Sequence, residues 1–135
     1  KGKGDAAIRQ DFPGGWKADT NNAFSNSGRT TAQKQYFDFS KKLLNWRKNK
    51  EVIHTGKLTH YIPENNVYVY FRYNDSESVM VIVNNSKDNQ KLNLSRFEEN
   101  LKKYTSGKDV LSNQNFDLKQ ELSIDGKSSL ILELK

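Results

Sequence analysis

At Gly56 the hydrophobic period of this 135-residue chain changes from that of a helix to that of a strand. Upstream, Tyr36, Phe39, Leu43 and Trp46 fall at i, i+3, i+7 and i+10, and Phe37 and Leu44 widen the stripe. Downstream, Leu58, His60 and Ile62 alternate with Thr59 and Tyr61. Val67, Val69, Phe71 and Tyr73 then alternate with Tyr68, Tyr70 and Arg72. One run of residues cannot serve both periods, because helices and strands distribute side chains differently around their axes. The chain therefore divides into a loop-plus-helix region, residues 1–55, and an antiparallel β region, residues 56–135.

The helix has clear ends. Thr30 and Gln33 match the capping box, in which each side chain satisfies a free backbone amide of the other's residue. Lys48 and Lys50 place positive charge where a helix C-terminus favours it. These signals predict a helix over Thr31–Asn49. Before it, Lys1 to Arg29 is rich in Gly, Asn, Ser and Asp and carries only isolated apolar residues, Ile8, Phe12, Trp16 and Phe24. A structureless stretch of that length belongs to function or to packing on something else.

After Gly56, Pro63-Glu64-Asn65-Asn66 and Asn74-Asp75-Ser76 read as turns. Ser78–Asn84, SVMVIVN, is continuously apolar and is expected to be a central strand. Lys91–Leu94 alternates. Phe97 and Leu101 are four apart, and Ser95 with Glu98 repeats a capping box, which predicts a helical turn or two within Ser95–Lys103. Asp109–Leu111, Phe116–Leu118 and Ser128–Leu134 are the remaining strands, Leu130, Leu132 and Leu134 sharing one face. Short strands at such spacing indicate an antiparallel sandwich or barrel.

Composition narrows the function. An apolar fraction of 34% with mean hydropathy −0.90 limits the chain to a compact core, much of it aromatic. No window approaches the roughly 20 apolar residues of a membrane-spanning helix. No leader is visible and the first residue is Lys1, so a mature form or a fragment is expected. Cysteine is absent, which excludes disulfides and thiolate metal sites. Net charge is +6, but 17 of the 22 basic residues are Lys and they are scattered among acidic ones. Nucleic-acid faces cluster their charge and favour Arg, so a solvated surface is the better reading and nucleic acid ranks last among partners.

Catalytic constellations are missing too. His54 and His60 are six apart across Gly56 with no acidic partner at ligand spacing, so no metal site is expected. There is no GxSxG, Walker-type GxxxxGK[ST] or GxGxxG motif and no cofactor is implied. Glycoside hydrolysis requires two carboxylates in contrasting environments. Acidic residues here lie mostly in turns (Asp75, Glu77, Asp88, Asp125) or on a short exposed helix (Glu98, Glu99). Asp11, beside Phe12 and Trp16, is the best placed and lacks an evident partner. No catalytic dyad is expected.

Three segments carry a resemblance: AIRQDFPGGW, then LLNWRKNKEVIHTGKLTHYIPENNVYVYFRY, then SSLILEL. Together they resemble the C-terminal end of α-amylase-superfamily glycoside hydrolases, the cyclomaltodextrinase/neopullulanase-like group above all. The last barrel helix of that superfamily carries a Leu-x-x-Leu-Arg-Lys pattern, then an apolar pair, then Gly and the first strand of its C-terminal domain. Leu43-Leu44-Asn45-Trp46-Arg47-Lys48, Val52-Ile53 and Gly56 match it, with Trp46 where Leu is common. The resemblance implies that residues 1–30 are the loop after the eighth barrel strand, 31–50 the eighth helix, and 56–135 a C-terminal antiparallel β-sandwich. It implies a retaining, α-1,4-cleaving parent enzyme whose catalytic carboxylates lie on strands absent from this chain, with periplasmic or extracellular location common among relatives. In that enzyme Arg9, Asp11 and Trp16 would face maltooligosaccharide at the rim of the cleft; the competing explanation is that Phe12 and Trp16 simply anchor the loop.

The leading expectation is thus a non-catalytic fragment whose sandwich stabilises the missing barrel. The helix residues named above exceed what one sheet face can cover, so self-association through residues 31–50 is expected. The alternative is a glucan-binding module in which Tyr68 and Tyr70, at i, i+2 on one strand face, stack on successive sugars. Packing of those tyrosines against the helix is the competing explanation.

Overall fold

A computed structural model of the chain describes residues 4–9 and 12–135. Two compact units emerge, residues 1–41 and 42–135.

In the first unit, a single turn of helix, α1 (Asp5–Ile8), precedes a loop organised by two side chains. The Asp19 carboxylate accepts from the Gly14 and Trp16 amides at 2.8 and 3.0 Å. Asn22 Oδ1 accepts from Phe24 N at 2.9 Å and Ser25 N at 3.3 Å. Gly14 has φ +97°, and a Cβ there would stand 2.6 Å from that same Asn22 oxygen, so only glycine fits. The Arg29 guanidinium lies 3.6 Å over the Phe37 ring. Helix α2 (Thr31–Lys48) starts here and runs into the second unit. Its capping box forms as the sequence predicts: Thr30 N donates to Gln33 Oε1 at 2.8 Å, and Gln33 N to Thr30 Oγ1 at 3.3 Å.

The second unit is the β-sandwich. One sheet has six antiparallel strands in the order β1 (Lys57–His60), β2 (Val67–Tyr73), β3 (Ser78–Asn84), β8 (Ser128–Leu134), β5 (Ser106–Asp109), β6 (Asn115–Asp117). The other is a ribbon of β4 (Gln90–Asn93) and β7 (Glu121–Ile124). A 3₁₀ turn over Leu94–Phe97 and helix α4 (Glu98–Leu101) close one end. Between the sheets lie Val69, Phe71, Met80, Ile82, Leu132 and Leu134, facing Leu92, Leu94, Phe97, Leu101, Leu118, Leu122 and Ile124. Phe71, Met80 and Leu132 are in register across β2, β3 and β8.

Turn chemistry sets that register. Asn65 and Asn66 have φ of +49° and +62°, and the Glu64 and Val67 backbones bond each other on either side of them, a tight two-residue hairpin. Asn74 Oδ1 accepts from Ser76 N and Glu77 N at the next turn.

Several local expectations shift. Strand β5 occupies Ser106–Asp109, upstream of the expected Asp109–Leu111, and β6 occupies Asn115–Asp117 where Phe116–Leu118 was expected. Strand β7 and the helical turn α3 (Glu51–Thr55) were not foreseen. The cap of the 3₁₀ turn is Asn93, whose Oδ1 accepts from Ser95 N at 3.0 Å, and not Ser95 itself. Helix α2 has no fully buried residue; Leu43 and Trp46 near its end are half-buried.

Candidate functional site

The pleat puts Tyr68, Tyr70 and Arg72 of β2, Val79, Val81 and Val83 of β3, and Ile131 and Glu133 of β8 on the face opposite the core. This outer face carries its own cluster. Val52 on α3 is fully buried against Val79 and Val81, with Trp46, Ile53, Tyr70 and Ile131 around them. Burial on both faces explains why β3 is apolar without interruption.

Polar contacts fasten the same junction. The Trp46 indole donates to Glu133 Oε1 at 2.6 Å, and Lys50 Nζ approaches the same oxygen at 2.9 Å. Lys50 also pairs with Glu77 at 3.0 Å. Arg72 Nη2 donates to the Ile53 carbonyl at 2.8 Å. Arg72 Nε is buried without a partner among the described residues. The Glu133 hydrogen bond is the main reason the Lys50 pKa is raised, against a burial effect that lowers it. Burial alone pushes Glu133 up, yet the hydrogen bonds from Trp46 and Lys50 outweigh it and hold the carboxyl below its ordinary value.

Tyr68 and Tyr70 share the outer face with ring centroids 5.6 Å apart and planes at 36°. Tyr70 is drawn into the cluster under the helix, and burial pushes its phenol pKa up. Tyr68 lies further from it, edge-on to His60 at 6.3 Å. His54 sits on α3, its Nε2 3.0 Å from the Arg47 carbonyl.

The loop residues read from sequence behave separately. Arg9 pairs with Asp5 at 2.8 Å in solvent, and Trp16 is 69% exposed. Phe12 is also exposed and meets Phe24 at 5.1 Å between ring centroids. Asp11 lies outside the described residues.

Glu133, Lys50, Glu77 and Arg72 did not stand out in the sequence. The available signal was Glu133 itself, a lone charge inside the apolar run SSLILEL, together with a Trp at the helix position where Leu is common. The carboxylates of this junction are engaged with Lys50 and Trp46. Asp109, the buried carboxylate of the sandwich, accepts from Ile131 N at 3.0 Å and from Ser112 N and Oγ at 2.7 Å. Each of these carboxylates is thus held by donors within its own surroundings. A groove of about 370 Å³ opens beside Val67, Leu92 and Phe97. Its charged lining is the Glu64–Arg96 pair at 3.0 Å together with Lys91.

A family model described as the cyclo-malto-dextrinase C-terminal domain matches residues 58–133. Among solved structures, an Anoxybacillus α-amylase superposes with a TM-score of 0.66 at 18% identity, over 75% of this chain and 22% of its own. The Geobacillus thermoleovorans α-amylase complexed with acarbose gives 0.67 at 18% identity, over 79% and 24%. The trehalulose synthase MutB from Pseudomonas mesoacidophila gives 0.61 at 19%, over 84% and 20%. At these identities the likeness is one of fold, and the chain spans less than a quarter of each of these proteins.

Proposed function

Because the chain belongs to the family of cyclo-malto-dextrinase C-terminal domains, we propose that it is the non-catalytic C-terminal region of an α-glucan-degrading glycoside hydrolase, its sandwich stabilising a catalytic (β/α)₈ barrel. The observation that carries this reading is the junction of Trp46, Lys50, Val52 and Ile53 with Glu133, Glu77, Val79 and Val81. It fastens a helix end to a family-matched sandwich by both apolar and charged contacts. On this reading residues 1–55 are the last loop and helix of the barrel and residues 56–135 the appended domain. The parent enzyme cleaves α-1,4 links by the retaining, two-carboxylate route, and Arg9, Asp11 and Trp16 face its maltooligosaccharide.

The exposed side of α2 fits the same picture. Tyr36 is 76% and Leu44 59% exposed, large apolar groups that a barrel would cover. In the isolated chain a second copy takes that place. The direct test is the reading frame upstream of Lys1. In-frame codons for a (β/α)₈ barrel support the proposal, and hydrolysis of maltooligosaccharides by the 135-residue chain alone overturns it.

A second reading rests on Tyr68, whose ring sits beside His60 away from the helix junction. Tyr68, with Tyr70 beside it, would stack on an α-glucan. Retention of the chain on insoluble starch, lost in Tyr68→Ala, supports it, and no retention removes it.

A further inference from the structure

The junction between the helix end and the sheet combines a small apolar cluster with a shared carboxylate. Its apolar part is small: Val52, Val79 and Val81 are buried, and Trp46, Ile53, Tyr70 and Ile131 are partly buried around them. The sandwich core, by contrast, contains fourteen buried residues, packed between the opposite face of this sheet and the elements that cover it. Opening the outer cluster therefore leaves the core's own contacts in place.

A polar network supplements the small cluster, and at its centre is one shared carboxylate oxygen. Glu133 Oε1 accepts from the Trp46 indole at 2.6 Å and from Lys50 at 2.9 Å, while Lys50 reaches Glu77 at 3.0 Å. Other charged groups at the junction are Lys108, in register with Glu133 on β5; Arg72 on β2, bonded to the Ile53 carbonyl; Arg47 on α2; and Glu51 and His54 on α3. Tyr70 adds a titratable phenol. Three cations, Lys50, Lys108 and Arg72, lie close to this carboxylate or to the chain it holds. Neutralising it removes the acceptor charge shared by Trp46 and Lys50 and leaves Lys50 with Glu77 as its carboxylate partner.

We propose that Glu133, Lys50 and Trp46 form an acid-opened latch: protonation of Glu133 frees the end of α2 and α3 from the outer sheet face while the sandwich stays folded. The depressed pKa of Glu133 agrees with this direction. A group held low in the closed state stabilises that state above its free pKa and ceases to do so as pH falls through the closed-state value. For one proton taken up on opening, each pH unit within that window raises the open population about tenfold.

Trp46 reports the event directly. In a Trp16→Phe background it is the sole tryptophan, and its emission maximum and accessibility to acrylamide are followed from neutral to acid pH. The near-UV signal of the core tyrosines and phenylalanines is followed in parallel. The expected result is a red shift and a several-fold gain in quenching at a pH where the core signal is unchanged. Glu133→Gln keeps an acceptor for the indole but cannot titrate, and abolishes the early step. Lys50→Met removes the cation that holds the Glu133 pKa down, and moves the step to higher pH. Loss of Trp46 protection and core signal at one common midpoint overturns the latch. So does an early step unmoved in Lys50→Met, a result that stands even if Glu133→Gln fails to fold.

Discussion

The side chain of Asn84 donates to the main-chain carbonyl of Asp125 at 2.9 Å, tying the end of β3 to the turn that opens β8. The same amide nitrogen donates to the Asp88 carbonyl at 2.9 Å, and its oxygen accepts from Ser86 N at 2.9 Å. Asn84 is 1% exposed, so no water replaces these partners. Asn84→Ala should lower stability by about 1–3 kcal/mol in urea unfolding, since the bonds that tie β3 to both turns are lost. Asn84→Asp should cost more, because its carboxylate would face those carbonyls.

Gly56 marks the change of period and is held there by space. A Cβ at this position would lie 2.3 Å from the Val52 carbonyl oxygen and 2.9 Å from that of Tyr73, both backbone atoms. Gly56→Ala should therefore displace α3 from β2 and cost about 1–3 kcal/mol, measured as a lower unfolding midpoint. Gly4→Ala, where nothing lies within 4 Å, serves as the neutral control.

Phe71 is fully buried, with Tyr61 and Phe97 rings 5.9 and 6.2 Å away. Phe71→Ala should cost about 3–5 kcal/mol, through lost transfer energy and the cavity left behind. Val83→Ala, on the outer face and 38% exposed, should change stability by no more than about 1 kcal/mol. Equal effects from the two would contradict the assignment of faces.

Alkaline pH should weaken the junction as well. The Lys50 pKa is raised, chiefly by its hydrogen bond to Glu133, and that of Tyr70 is raised by burial. For both groups the folded chain holds its proton more tightly than the unfolded chain. Their contributions are complete below the unfolded pKa values and vanish as pH rises through the folded ones, above the ordinary tyrosine and lysine ranges. Phenolate absorbance should thus show late-titrating tyrosines, one of which disappears in Tyr70→Phe. Lys50→Met should flatten the alkaline decline in stability.

Local signals were readable wherever one residue type does one job. The Thr30–Gln33 box, the Asn65-Asn66 turn and the unbroken apolar run of β3 each announce themselves within a few residues. Strand β5 was displaced because its buried residues are Gly107 and Asp109, which carry no apolar signal; the aspartate is buried only because local amides and Ser112 satisfy it. Strand β7 escaped because Leu122 and Ile124 are too few to establish a period. The Glu133–Trp46 contact joins residues 87 positions apart, and neither period nor spacing can express such a pairing.

Met80 and Val81 are neighbours in the chain, yet one fills the sandwich interior and the other the cluster under the helix. Strand β3 is thus a party wall between two rooms furnished independently. A change of size at alternate positions along it is felt on one side at a time. Substitutions that refit the helix to a different neighbour can accumulate at Val79 and Val81 without disturbing Met80 and Ile82, which gives this domain a way to change what it is attached to while keeping its own interior intact.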